Sequence, residues 1–212
     1  MTGAVLWDMD GTLVDSEEYH WLSWRDTMAL EGVPVTREQF LASFGQRNDA
    51  ILPQWLGQDA TKDRIQRIGD AKEALYRKLV RERGLQPLPG AKEWVARLHK
   101  EGWRQAIASS APRANVEVVL EVTGLGSYFQ AIVSAEDVTA GKPDPQVFQK
   151  AAERLGVPPA RCIVVEDAAA GVEAARRAGM RSIGVSGKGS PLPADLAVQS
   201  LTDLPQNAFL YN

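Results

Sequence analysis

The chain has 212 residues, 44% hydrophobic and 24% charged, with a net charge of −3 at pH 7. That is an ordinary globular composition, large enough for one big domain or for a core with a smaller insert. The mild acidity argues against nucleic acid or an anionic membrane as partner, and no apolar run approaches the roughly 20 residues of a membrane span. The N-terminus lacks the basic region and cleavage site of a signal peptide. A single cysteine, Cys162, excludes an internal disulfide and fits a reducing cytoplasm, so a cytoplasmic location is expected. Cys162 lies in the apolar run Cys162-Ile163-Val164-Val165, where it reads as a packed small hydrophobe.

Ala4-Val5-Leu6-Trp7 is short, apolar and bounded, as expected of a strand buried on both faces. It runs into Asp8-Met9-Asp10-Gly11-Thr12-Leu13-Val14-Asp15, where Gly11 permits a sharp turn. Ser16-Glu17-Glu18 reads as a helix start, a hydroxyl cap followed by acids in the first turn. Two carboxylates therefore sit where a strand ends, and in open α/β sheets that edge binds ligands. Carboxylates this close repel unless one is protonated or a cation lies between them, and Mg²⁺ is a suitably hard, oxygen-seeking ion.

From Ser16 to Gly84 the pattern is helical. A first helix spans Ser16 to Glu31, Thr36 caps a short second, a third runs to about Trp55, and Thr61 opens a long fourth. That fourth helix carries Ile65, Ile68, Leu75 and Leu79 at helical spacing and closes at Gly84. After Pro89-Gly90 the pattern changes to α/β alternation. Helices are expected over Ala91–Lys100, from beyond Ser110 to Val122, over Pro145–Leu155 and over Ala168–Ala178. Strands are expected over Trp103–Ala108, Ala131–Val133, Cys162–Val165 and Arg181–Val185, with a weak last one at Leu196–Val198. The strand at Ala4 has no parallel partner nearby in sequence and so pairs with the later ones. The expected division is then an α/β unit of residues 1–14 and 86–212, interrupted by an all-α insert of residues 15–85.

Three more polar groups fall at comparable places. Ser109 ends one strand, Glu166-Asp167 end another, and Lys142 lies in Gly141-Lys142-Pro143-Asp144-Pro145 beyond a third. Parallel strands bring their C-terminal ends to one edge, so these groups should meet the Asp8-Asp10 pair. The set suits a phosphoryl group bridged to Mg²⁺. Each member also has a plainer reading. Ser109 could cap the next helix, Lys142 could be a solvated loop lysine, and Glu166-Asp167 could be a charge pair at a helix N-terminus.

With these motifs in view the chain resembles the haloacid dehalogenase superfamily, in its subgroup of β-phosphoglucomutases and related phosphatases. Asp8-Met9-Asp10-Gly11-Thr12 matches the first motif, Ser109 the second, Lys142 the third and Glu166-Asp167 the fourth. The resemblance implies a Rossmann-like parallel-sheet core under an inserted helical cap. It implies Asp8 as nucleophile forming an aspartyl-phosphate, Asp10 as acid and base, and Ser109 and Lys142 on the phosphoryl oxygens. Mg²⁺ would be held by Asp8, Asp167 and the backbone carbonyl of Asp10, with Glu166 in support. An acid at position 10 argues for phosphoryl transfer, because dehalogenases of the superfamily lack one there.

In the cap, His20, Arg47 and Lys72 resemble substrate-facing residues of that subgroup. Lys72 falls on the apolar stripe, where it either snorkels or faces a cleft. His20 lies about one turn past Ser16, close enough to share a cleft with the Asp8 loop, whereas His99 reads as a surface residue. Where the mutases carry Ser-Lys-Asn for a second phosphate, this chain has Ala111-Pro112-Arg113, leaving Arg113, Arg47 and Lys72 as anion partners. The expectation is a Mg²⁺-dependent phosphatase of small phosphorylated metabolites, acting as a monomer. A phosphosugar mutase is the first alternative and a non-catalytic phosphate-binding module the remote one.

Overall fold

The computed structural model describes residues 3–210, so the first and last two residues of the expected α/β unit lie outside the described residues. Strand β1 (Ala4–Trp7) is followed by helices α1 (Glu17–Leu30), α2 (Arg37–Ser43), α3 (Asn48–Leu56) and α4 (Lys62–Arg83). The alternating part comprises α5 (Ala91–Lys100), β2 (Arg104–Ala108), α6 (Arg113–Thr123), β3 (Ala131–Val133) and α7 (Gln146–Leu155). It ends with β4 (Cys162–Glu166), α8 (Ala169–Arg177), β5 (Arg181–Val185) and β6 (Leu196–Val198). All six strands are parallel, in the order β3-β2-β1-β4-β5-β6. The weak strand at Leu196 does form, pairing Ile183 with Leu196 and Val185 with Val198.

The position of β1 accounts for its unbroken apolarity. It lies between β2 and β4, and its side chains alternate between the sheet's two faces. Val5 and Trp7 join a core with Trp94, Leu98, Leu201 and Phe209. Ala4 and Leu6 join the opposite one with Phe148, Ala151, Leu155 and Ala174. Every side chain of the strand is fully buried. The indole N–H of Trp7 donates to Gln105 Oε1 at 3.0 Å, and Gln105 passes its own amide proton to the Val95 carbonyl. A buried N–H needs such a partner.

Helices α1 to α4 enclose a separate core of Trp24, Met28, Phe40, Ile51, Leu52, Leu56 and Ile68. Thr36 starts α2 with a full capping box, its hydroxyl taking the Gln39 N–H while the Gln39 side chain takes the Thr36 N–H. The expected hydroxyl cap on α1 is not made. Ser16 has no capping bond and instead donates to a carboxylate oxygen of Asp10. The acids of that first turn are used as well, since Glu17 and Glu18 both pair with Arg37 of α2.

On α4 the buried stripe includes Ile68, Gly69, Lys72, Glu73, Tyr76, Leu79 and Val80. Leu75, expected on it, is displaced by Tyr76, four residues beyond Lys72. Among the described residues no helix is long and apolar enough to cross a membrane.

Candidate active site at the carboxyl edge of the sheet

The loop after β1 turns back on itself at once. The carbonyl of Met9 accepts the N–H groups of Leu13 and Val14, and Asp8 N–H donates to Val165 of β4 at 3.0 Å. The turn passes through Gly11 at φ +85°, and a Cβ there would stand 2.0 Å from Asp167 Oδ2. Only glycine allows that dihedral and that approach together. Gly171 of α8 plays the same part for Glu166, whose carboxyl carbon would lie 2.0 Å from an added Cβ. The two acids after β4 are thus seated against backbone that has no side chain to spare.

Lys142 comes in from the loop after β3. Its ammonium donates to Asp8 Oδ1 at 2.5 Å and to Glu166 Oε1, and its side chain is 8% exposed. The solvated-loop reading of Lys142 is therefore excluded. Ser109, at the end of β2, accepts the Ala111 N–H on its hydroxyl, while α6 starts later, after Pro112. Its capping reading falls too. Asp8, Ser109, Lys142, Glu166 and Asp167 all line one cavity of about 680 Å³.

Ligand oxygens of Asp8, Glu166 and Asp167 lie within 4.8 Å of one another. Burial, Glu166 and Asp167 push the Asp8 carboxyl well above its ordinary range despite the nearby Lys142. Burial and then Glu166 raise Asp167 to about 7. On Lys142, burial is outweighed by Asp8 and Glu166, which hold the ammonium charged. Three carboxylates against one ammonium leave a surplus of negative charge, and every donor is a hard oxygen. That donor set fits a small divalent cation such as Mg²⁺. Glu166 already accepts Lys142 on one oxygen and Ala168 N–H on the other, which leaves Asp8 and Asp167 as the freer ligands.

Asp10, expected to reach the metal through its backbone carbonyl, has its carboxylate turned the other way. It accepts Ser16 and faces His20 Nε2 at 3.3 Å, so a metal role for Asp10 rests on its backbone carbonyl alone. Burial tends to raise Asp10, but His20 and Ser16 outweigh it and hold the carboxyl below its usual range. His20 stacks on Tyr76 with ring centroids 4.1 Å apart, and its Nδ1 meets Lys72 Nζ at 2.9 Å. Lys72 is 2% exposed and also binds Glu73 Oε1 at 2.9 Å. It faces the cleft and does not snorkel.

Arg47 reaches from the start of α3 to the Ala135 carbonyl at 2.9 Å, and its side chain also pairs with Asp49. Arg113 is not on the cavity wall. Its guanidinium is held by the Ile132 carbonyl and Asp137, away from where an anion partner was expected.

Asn48, Glu73 and Arg77, not singled out from the sequence, also line the cavity. Glu73 accepts Lys72 and Asn48 on Oε1 and Asn115 on Oε2, and Arg77 donates to Asn115 Oδ1 at 2.9 Å. Burial tends to raise Glu73, yet Lys72, His20 and the two amides keep it below its usual range. The Tyr76 hydroxyl has no hydrogen-bond partner among the described residues, and burial with nearby Asp10 drives its pKa well up. The available signal for Glu73 was its adjacency to Lys72 on a helix face that is otherwise apolar.

Residues 2–179 match the family model described as haloacid dehalogenase-like hydrolase. The β-phosphoglucomutase of Bacillus subtilis is 34% identical over 95% of this chain and 91% of its own. Hexitol phosphatase B of Escherichia coli K12 is 35% identical over 95% and 93%. The crystal structure of CbbY from Rhodobacter sphaeroides in complex with phosphate superposes with a TM-score of 0.87 at 28% identity, covering 96% of each chain. With its four strand-end motifs gathered in one cavity under helices α1 to α4, this chain belongs to the haloacid dehalogenase-like hydrolases.

Proposed function

We propose that the protein is a Mg²⁺-dependent phosphatase of small phosphorylated metabolites, sugar phosphates foremost, working through an aspartyl-phosphate on Asp8. The observation that carries this reading is Asp8 itself. It is a buried carboxylate at the end of the central strand, bonded to one ammonium, flanked by two acids and lining a substrate-sized cavity. In this reading residues 1–14 and 86–212 form the catalytic unit and residues 15–85 the cap that excludes bulk water.

An oxygen of Asp8 attacks the phosphorus while the bond to the leaving oxygen breaks, and Asp10 gives that oxygen its proton. Asp10 acquires this proton more readily when the dianionic phosphate comes to lie beside it, since like charge raises a carboxyl's proton affinity. Water then attacks the phosphorus, its proton passes to Asp10, and Asp8 departs as carboxylate. Ser109 and Lys142 hold phosphoryl oxygens throughout. Asp8, Asp167 and the Asp10 carbonyl would hold Mg²⁺, with Glu166 in support, and the ion supplies charge neutralisation for the transferring group when bound.

Hydrolysis is favoured over mutase chemistry by Ala111 and Pro112, which line the cavity without hydroxyl or charge where the mutases carry residues for a second phosphate. A mutase remains the second reading because Arg47 sits on the cavity wall and a β-phosphoglucomutase is among the relatives. Hydrolysis of p-nitrophenyl phosphate with and without EDTA tests the phosphatase. No turnover in either condition would leave a phosphate-binding module. Feeding β-glucose 1-phosphate with a trace of the 1,6-bisphosphate separates the two enzymes, phosphate being expected and glucose 6-phosphate pointing to the mutase. A panel of phosphorylated sugars and short acids then narrows the substrate.

A further inference from the structure

The ring of His20 can face Asp10 with a proton or with a lone pair, and the contacts around it decide which. An ammonium has only protons to offer, so Lys72 Nζ at 2.9 Å makes His20 Nδ1 an acceptor. The ring proton is then on Nε2, the nitrogen that looks at Asp10. This arrangement lasts only while Lys72 stays in place. Its stem is flexible, and burying an ammonium without a counter-charge is costly. The Trp24 and Tyr76 rings lie 5.0 and 5.6 Å from it, but the carboxylate in contact with it is that of Glu73.

Adjacent helical residues do not ordinarily face the same way. Glu73 meets Lys72 because its carboxylate is held from outside α4 as well. Asn48 of α3 donates to Oε1 at 2.8 Å, and Asn115 of α6 donates to Oε2 at 2.5 Å. The Asn115 amide cannot turn over, since its oxygen accepts Arg77. Its NH₂ therefore points at Glu73, and the carboxylate is tied across the boundary between the inserted helices and the α/β unit.

We infer that Glu73 is a positioning residue. It holds Lys72 against His20 Nδ1 and so keeps the proton-bearing Nε2 of the ring directed at Asp10. Glu73 acts through these two side chains, and its bearing on rate rests on the reading of Asp10 as the proton carrier.

Glu73→Gln tests this with little change of volume, the fold being checked by thermal melting. In the substrate-free protein, ¹⁵N NMR of His20 should show protonated Nε2 and unprotonated Nδ1 for wild type, and a shifted or averaged pattern for the variant. The kcat for p-nitrophenyl phosphate should fall about 10- to 100-fold, with KM moved far less, as for a displaced catalytic group. A folded variant with the wild-type His20 pattern overturns the inference whatever its rate, and so does an unchanged kcat in an active enzyme. Where Glu73→Gln does not fold, Asn115→Ala removes one anchor and is read the same way. A wild type that hydrolyses no phosphate ester defeats the proposed reaction instead, while the NMR pattern still decides the role of Glu73.

Discussion

The two walls of the cavity keep their charges in opposite ways. The sheet edge gathers Asp8, Glu166 and Asp167 around a single lysine, and burial, with the crowding of like charge added to it, drives the Asp8 and Asp167 carboxyls up. The helical wall pairs its charges one against another. Glu73 is matched to Lys72, Lys72 to His20, and His20 to Asp10, while amides fill the remaining acceptors. A surplus of like charge is tolerated in a folded protein when something else is to arrive there, a cation or a phosphoryl group. A balanced, hydrogen-bonded chain suits a different job, fixing geometry. The sheet edge is built for chemistry and the helical wall for orientation.

The sharpest way to break this comparison is at the sheet edge. Asp8→Asn changes little volume, yet it removes the proposed oxygen nucleophile, and turnover of any phosphate ester should vanish while the melting curve stays cooperative. Retained activity in a preparation free of contaminating phosphatase would show that the surplus charge serves something else. Asp10 stands where the two walls meet. Asp10→Asn should cost about 10²- to 10⁴-fold in kcat, the usual worth of a positioned acid and base. A pre-steady-state measurement sharpens the point, because loss of the base should let phosphate accumulate on Asp8.

The sheet edge was far more legible in the sequence than the helical wall, for a reason of geometry. A parallel strand delivers its last residues to a fixed edge, so Asp8, Ser109 and Glu166 could be brought together once the strands were read as parallel, which they are. Lys142 followed because its loop leaves the same edge. Helices fix the phase of a side chain but not what packs across from it. Lys72 could be put on the buried face of α4, yet Glu73, which it meets, is bonded by Asn48 and Asn115 from two other helices. The hydroxyl of Ser16 showed the same limit from another side. Local pattern made it a cap, and the nearby Asp10 carboxylate outbid the helix for it. Arg113 was misplaced because its partner, Asp137, lies in a turn beyond β3 that no helical or strand period announces.

That contrast between the two arginines makes a smaller prediction. Arg47 lines the cavity and Arg113 does not. Arg47→Ala should change the ranking of phosphorylated sugars by roughly 10-fold, the size of one lost charged hydrogen bond. It should leave p-nitrophenyl phosphate, which lacks the hydroxyls of a sugar and any second charged group, nearly as before. Arg113→Ala should leave both rankings alone. If the two variants behave alike, the cavity wall that Arg47 joins is not the surface that selects substrate.

The smallest effect concerns what holds Arg113 away from the cavity. Asp137 accepts Arg113, Arg154 and both the N–H and hydroxyl of Ser134. Arg154 is the strongest of the influences that keep its carboxyl well below the ordinary range. A carboxyl with a depressed folded pKa stabilises the protein above its unfolded value, about 3.9, and loses that contribution as pH falls through the folded one. Both arginine side chains are 39% exposed, so solvent screening cuts the charged bonds to about 1 kcal/mol in total. Asp137→Asn should therefore lower Tm at pH 7 by roughly 2–4 °C. The gap between variant and wild type should close as the pH drops below about 4, where the native carboxyl also begins to lose its charge advantage. Activity should be untouched, because neither arginine held there reaches the cavity. A gap that stays constant with pH would mean that the asparagine costs packing rather than charge, and the ion pair would then not be what steers Arg113 outward.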